Sequence, residues 1–250
     1  MRARQQTFLH AGPAEGAEAV TEVLLGEELT VLEEASGWQH VRLAADGYEG
    51  WVRTVAAETP AGDGAAQWAT VTALRGHIYA APAVQAPVLG RLSLGSRVCR
   101  SGEVTEGEEG RLWERLLWPE GWVNCSVFRP LPPALPELGL AFLGTPYRWG
   151  GRSAWGVDCS GLMQTLHAAY GIALPRDSGP QRSALTPVDR PQAGDLAFFP
   201  GHVGLMLDGR RMLNATSYHM AVAVDTLGEG EYGRLLARDL LGFGRPEWRK

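Results

Sequence analysis

The sequence predicts an α+β domain preceded by two small all-β barrels. Thirty-two glycines and sixteen prolines in 250 residues imply many turns, which favours short strands over long helices. A Gly-Trp-Val triplet after an acidic turn occurs twice, in DGYEGWVR and PEGWVNCS, and marks a degenerate repeat. Behind a proline-rich stretch, residues at helical spacing come first and alternating residues later, the order of an α+β domain.

Residues 18–54 read as short strands, TEVLLGEELTVLEEA and then GWQHVRLAADGYEGWV, with turns at Gly26, Gly37 and Asp46-Gly47. They form the first barrel, residues 1–58. TPAGDGAAQ, residues 59–67, has the composition of a linker. Residues 66–130 repeat the scheme as a second barrel, with a period of about 60 residues: LLGEELTVLEE is echoed by LSLGSRVCRSG. PLPPALPE, residues 130–137, is a stiff linker to the third domain, residues 138–250. That domain opens with a helix in LGLAFLGTPY, ending before Pro146. A second helix follows Cys159, with Leu162, Met163, Leu166, Ala169 and Tyr170 as its buried stripe and Gly171 as its stop. PQAGDLAFFPGHVGLMLDGRRMLNATSY then alternates as a sheet does.

Composition removes several functions. A net charge of -5 argues against a nucleic-acid surface. No apolar run approaches the roughly 20 residues that span a bilayer. MRARQQTFLHAGPAEG has two arginines without an apolar stretch behind them, so it is not a secretory signal as written; the expectation is a cytoplasmic protein, exported if the true start lies upstream. Three cysteines make no disulfide framework, and pairing of Cys99 with Cys125 stays open. With no CxxC, HExxH or tight His/Asp cluster, no metal or other cofactor is expected.

The chemistry concentrates in PYRWGGRSAWGVDCSG, residues 146–161. Cys159 starts the second helix, where unpaired N–H groups and the macrodipole favour a thiolate, a nucleophile. A buried small hydrophobe is the alternative reading. A nucleophile needs a base. Of six histidines, His10, His40 and His77 belong to the barrels, and His167 lies eight residues along the helix, too far for contact. His202, beginning a strand in FFPGHVGLML, and His219 remain. An antiparallel pair turning at Asp208-Gly209 brings Asn214 near His202, where its side-chain oxygen can fix the imidazole tautomer.

PYRWGG, DCSGLMQ, GIALPRDSGPQ, PQAGDLAFF, HVGLMLDG and MLNATS, in that order over most of residues 138–220, resemble the NlpC-type cell-wall cysteine peptidases, which have a papain-like fold. Two bacterial SH3-like domains ahead of them resemble the subgroup that cleaves γ-D-glutamyl bonds to a diamino acid in peptidoglycan stem peptides. The resemblance implies Cys159 as nucleophile and His202 as base. Asn214 stands in the third position, where the family usually has histidine, and His219 is the other candidate. Tyr147 would donate to the oxyanion, and Asp158 and Ser160 would face the substrate. Asp177 and Ser178 would line the pocket or cap a helix. Arg176 would pair with a substrate carboxylate or a neighbouring acid. Glu18 and Tyr48 of the first SH3-like domain would hold the free amine of an L-Ala-γ-D-Glu unit, so peptides with a free N-terminal L-Ala are the expected substrates. The rival readings are an inactive peptidoglycan-binding scaffold and an amidase or transpeptidase on the same fold.

Overall fold

The computed structural model describes residues 1–58 and 67–247. The linker expected at 59–67 lies outside the described residues except for Gln67. The chain forms two compact units, Met1–Leu131 and Pro132–Lys250.

Both strand-rich halves lie in the first unit. The first half is a five-stranded antiparallel sheet ordered Ala19–Val23, Thr7–His10, Glu49–Arg53, Trp38–Leu43, Leu29–Ala35. The second is ordered Val88–Ser93, Arg75–Tyr79, Gly121–Asn124, Leu112–Trp118, Arg97–Glu106, Gln67–Thr70. The first five strands of the second sheet repeat the order of the first sheet. The Gly-Trp-Val triplets occupy equivalent strands, with Trp51 opposite His10 and Trp122 opposite Tyr79. Glycine precedes each tryptophan because the neighbouring strand crosses closely: a Cβ on Gly50 would stand 2.8 Å from the Leu9 Cβ, and one on Gly121 2.5 Å from Ile78. Alternate residues fill two cores, Leu9, Val23, Val41 and Val52 in one and Ile78, Leu92, Val98 and Val123 in the other. Each such side chain stabilises by roughly 1.5–3 kcal/mol relative to exposure.

The halves share a seam, which is why they form one unit. Leu25 belongs to the second core, and its carbonyl accepts from the Arg97 N–H at 2.8 Å. The Trp118 indole donates to Glu58 at 2.6 Å, and the Arg2 guanidinium lies 3.8 Å above the Trp68 ring. Cys99 is buried in its strand, Cys125 opens a 3-10 turn, and both are free thiols.

The second unit is built on a six-stranded antiparallel sheet ordered Thr186–Val188, Gly242–Arg245, Leu196–Phe199, His202–Met206, Arg211–Thr216, Ala221–Thr226. Helix Cys159–Ala169 packs on the two strands His202–Met206 and Arg211–Thr216. Leu236 of helix Gly230–Asp239 joins Ala197, Phe199, Met206 and Met212 in a further cluster. The opening helix is Leu135–Leu140, three residues earlier than its expected start and shorter, because Pro136 suits a first turn and the chain then breaks into turns. Helix Cys159–Ala169 stops where expected, with Gly171 at φ +78°. It has no polar face, however: Gln164, Thr165 and His167 are buried along with Leu162, Met163 and Leu166. One polar atom of each bonds a backbone carbonyl, whereas Gln164 Oε1 and His167 Nε2 are buried without a hydrogen bond among the described residues. Gln164 Nε2 donates to the Leu174 carbonyl at 3.1 Å, Thr165 to Arg152 at 2.8 Å, and His167 Nδ1 to Met163 at 2.7 Å.

Candidate active site

Asp158 is the N-cap of the Cys159 helix, and its Oδ1 accepts from the Gly161 N–H at 2.7 Å. Gly161 has no alternative at that position, since a Cβ there would stand 2.1 Å from the Gly151 carbonyl oxygen. The other Asp158 oxygen accepts from the Gly150 N–H at 2.9 Å. Arg176 then clamps the same carboxylate with both guanidinium nitrogens, at 3.1 and 2.5 Å, and donates to the Ser160 hydroxyl at 2.9 Å. Gln181 donates to the Ser160 and Pro175 carbonyls at 3.0 and 2.8 Å. These buried bonds tie the loop before the nucleophile to the segment after its helix. The buried ion pair is costly to make and more costly to break, so it fixes geometry rather than adding stability.

His202 opens its strand at the turn after Phe199, whose ring lies 5.7 Å from the imidazole. Leu205 pairs with Leu213 in the next strand, so His202 and Asn214 are diagonal neighbours on one face. His202 Nε2 meets Asn214 Oδ1 at 3.0 Å. Asn214 is fully buried, and its Nδ2 donates to Asp225 Oδ2 at 2.9 Å. Because the Asn214 amide nitrogen is engaged by Asp225, its oxygen faces the imidazole and accepts the Nε2–H. Nδ1 is left as the basic nitrogen. Val203, the next residue, directs its backbone N–H at the Cys159 sulfur.

Burial dominates the electrostatics. It pushes the Cys159 thiol up to about 11, and the Asp158 carboxylate adds to the shift; the N–H groups of Val203 and Ser160 and the Arg176 charge pull the other way. Desolvation thus opposes the thiolate that the helix N-terminus favours. Burial also lowers the His202 pKa, against the Asn214 hydrogen bond and the Asp225 charge. Both shifts favour the uncharged form, of the thiol and of the imidazole. Tyr147 is pushed up to about 12 by burial, then by Cys159 and Asp158, which keeps its hydroxyl protonated.

Other expected positions fall as follows. Arg176 pairs with the neighbouring acid, the second of its two expected roles, and is buried. Asp158 and Ser160 are also buried, their side chains engaged with Arg176 instead of facing outward. Asp177 holds the N-cap position of helix Ser178–Ala184 but makes no side-chain cap, and Ser178 begins that helix half-buried. His219 does not contact His202; it sits 3.0 Å from the second oxygen of Asp225. Glu18 is exposed ahead of strand Ala19–Val23, and Tyr48 packs against the first core.

Two residues of the site, one behind Asn214 and one whose charge environment includes Cys159, were not singled out from sequence. Asp225 lies opposite Met212, one diagonal from Asn214, and the alternation in AVAVDT puts it on the face shared by Ala221 and Ala223. Tyr232 bonds the Thr216 hydroxyl at 2.8 Å and stacks on Tyr218 at 4.4 Å. Burial raises its pKa, and the charges of Asp225 and Cys159 both add to it.

Known proteins match both parts of this chain. Residues 144–238 match the NlpC/P60 family, and residues 9–56 match the bacterial dipeptidyl-peptidase Sh3 domain. A gamma-D-glutamyl-L-lysine dipeptidyl-peptidase of Bacillus subtilis is 36% identical over 49% of this chain, and the match spans 45% of that protein. One of the same name from Bacillus cereus is 29% identical over 85% of this chain and 72% of its own length. The chain thus spans about half of the first relative and nearly three quarters of the second. A crystal structure of an NlpC/P60 family protein from Bacillus cereus superposes with a TM-score of 0.81, covering 98% of both chains at 24% identity, so the fold is shared throughout. On that shared fold, residues 144–238, which hold Cys159, His202 and Asn214, form an NlpC/P60 domain, and residues 9–56 ahead of it form a bacterial dipeptidyl-peptidase Sh3 domain.

Proposed function

We propose that the chain is a cysteine peptidase that hydrolyses the bond between γ-D-glutamate and a diamino acid in peptidoglycan stem peptides, with preference for a free N-terminal L-Ala. The observation that carries the reading is the His202–Asn214 bond, which leaves Nδ1 basic next to the strand that meets the thiol. The names of the two Bacillus relatives support the bond and the release of a dipeptide.

The Cys159 proton passes to His202 as sulfur attacks the γ-carbonyl carbon, forming a C–S bond. Tyr147 O–H donates to the oxygen that gains charge. The tetrahedral centre collapses, the C–N bond breaks, and the imidazolium protonates the leaving amine. His202 then takes a proton from water, hydroxide adds to the thioester, and the thiol leaves with that proton restored. Asp158, Ser160 and Arg176 act behind the nucleophile, fixing the loop. Asp177 and Ser178 would contact the substrate, and its ammonium calls for a carboxylate and a ring, the roles expected from sequence for Glu18 and Tyr48.

The test is a digest of L-Ala-γ-D-Glu-L-Lys, its diaminopimelate analogue and their N-acetylated forms, read by mass spectrometry. The proposal expects L-Ala-γ-D-Glu from the free peptides and slower cleavage, by roughly tenfold or more, of the acetylated ones. Release of L-Ala alone, or of lactyl-linked sugar from wall fragments, would place the activity in another class. Equal rates on free and acetylated peptides would remove the amine preference.

A further inference from the structure

Three strands carry a continuous polar row across one face of the sheet: His202, Asn214 and Asp225, joined at 3.0 and 2.9 Å. The register makes each a diagonal neighbour of the next. Asn214 is fully buried, and its amide has two orientations of similar shape. Only one of them offers oxygen to His202. In the other, the amide N–H groups would face the imidazole N–H and the oxygen would face a carboxylate, so the Asp225 anion decides between them. The second contact of Asn214 Nδ2, to the Ala223 carbonyl at 3.4 Å, is longer and neutral. The Asp225 side chain is only 12% exposed, so its charge is weakly screened.

We infer that Asp225 is a positioning residue for the base: it locks the Asn214 amide so that the oxygen faces His202, and its charge supports the imidazolium that forms in the reaction. The inference rests on the reading of Cys159 and His202 as nucleophile and base. The titratable neighbours of Asp225 are His219, on its other oxygen, and His202, Tyr218 and Tyr232, which feel its charge. Asp225 differs from a merely structural acid in what its removal does to His202. Loss of the anion lowers the imidazole pKa and slows the step that forms imidazolium.

The test compares Asp225→Asn and Asp225→Ala with the wild-type chain. Asparagine preserves an acceptor for the Asn214 amide without charge; alanine removes both. For Asp225→Ala, kcat is expected to fall about tenfold with KM little changed. Asp225→Asn should retain more activity than alanine. In both, the acid limb of kcat/KM should move to lower pH by roughly half a unit. A His219→Gln background removes the imidazole that shares Asp225 from that window. NMR titration of the His202 ring, which needs no substrate, should show the same downward shift and, in Asp225→Ala, a smaller share of the Nε2–H tautomer. If Cys159→Ala cleaves like wild type, or wild type does not cleave, the peptidase reading fails and the NMR titration alone decides on Asp225. If wild type cleaves, Cys159→Ala does not, and the Asp225 variants keep kcat, acid limb and His202 titration, this inference is overturned while the peptidase reading stands. Should the alanine variant not fold, the shape-matched asparagine variant decides whether the charge matters.

Discussion

Asn214 accepts the Nε2–H of His202 at 3.0 Å, and this one bond decides which imidazole nitrogen is basic. An asparagine is sufficient for that task because fixing the tautomer takes only an oriented acceptor. Asn214→Ala is expected to lower kcat by roughly ten- to a hundredfold, a part of what general acid–base catalysis contributes. Asn214→Gln and Asn214→His should recover part of the loss. Steady-state kinetics on the γ-D-glutamyl peptide measure it; an unchanged kcat in Asn214→Ala would show that the tautomer is set elsewhere.

A neutral catalytic pair has its own signature. Burial pushes Cys159 up to about 11 and His202 down from its ordinary 6.5. Activity requires an unprotonated imidazole, so kcat/KM should hold its plateau to below pH 6.5 and fall only under the lowered His202 pKa. Thiolate ultraviolet absorbance, taken as the difference between wild type and Cys159→Ala, should be absent near neutrality. A full thiolate signal at pH 7 would instead reveal a preformed thiolate–imidazolium pair.

Arg176 is 4% exposed and stands on the Asp158 carboxylate. Arg176→Ala leaves a buried anion with two backbone N–H groups and the Ser160 hydroxyl as its remaining partners, and should cost about 3–5 kcal/mol in urea unfolding. Arg176→Lys should recover less than half, because one ammonium cannot reproduce two guanidinium contacts. An Arg176→Ala chain as stable as wild type would mean that Asp158 is protonated or solvated in the variant.

His167 links stability to acid. It is fully buried, and burial lowers its pKa from 6.5 to about 4 against the raising effect of its bond to Met163. The unfolded chain therefore binds this proton at a higher pH than the folded chain. The contribution to stability is complete above pH 6.5, shrinks as pH falls through the window down to about 4, and is spent below it. The total is about 3 kcal/mol. His167→Gln, which keeps a donor for the Met163 carbonyl and does not titrate, should lose that much less between pH 7 and pH 4. Equal pH slopes for the two chains would show that His167 is not the acid-sensitive group.

Much of this arrangement is legible in the chain itself. The Gly-Trp-Val repeat marks a strand that must let its neighbour cross closely, and both copies do so at Gly50 and Gly121. Helical spacing after Cys159 and the alternation through His202 and Asn214 were sufficient to set thiol-bearing helix and imidazole-bearing strand in one domain. Three things were not legible. Periodicity reports one apolar face, so it missed that the Cys159 helix is buried through His167, with Gln164, Thr165 and His167 each bonded to a backbone carbonyl. The Arg176 partner joins positions eighteen apart across a helix and a loop, a contact that no local pattern encodes. The place of Asp225 follows from register, which fixes diagonal neighbours only once the strands are paired. Burial at the thiol is hidden for a related reason: a helix N-terminus can be read from sequence, whereas the depth of burial that opposes it depends on the whole fold.

The central claim is that Cys159 is the nucleophile, and replacing its sulfur tests that most directly. Cys159→Ala, folded as judged by its thermal unfolding, should release no L-Ala-γ-D-Glu from the free tripeptide under conditions in which the wild-type chain consumes it fully. Release of that dipeptide at the wild-type rate would contradict the account.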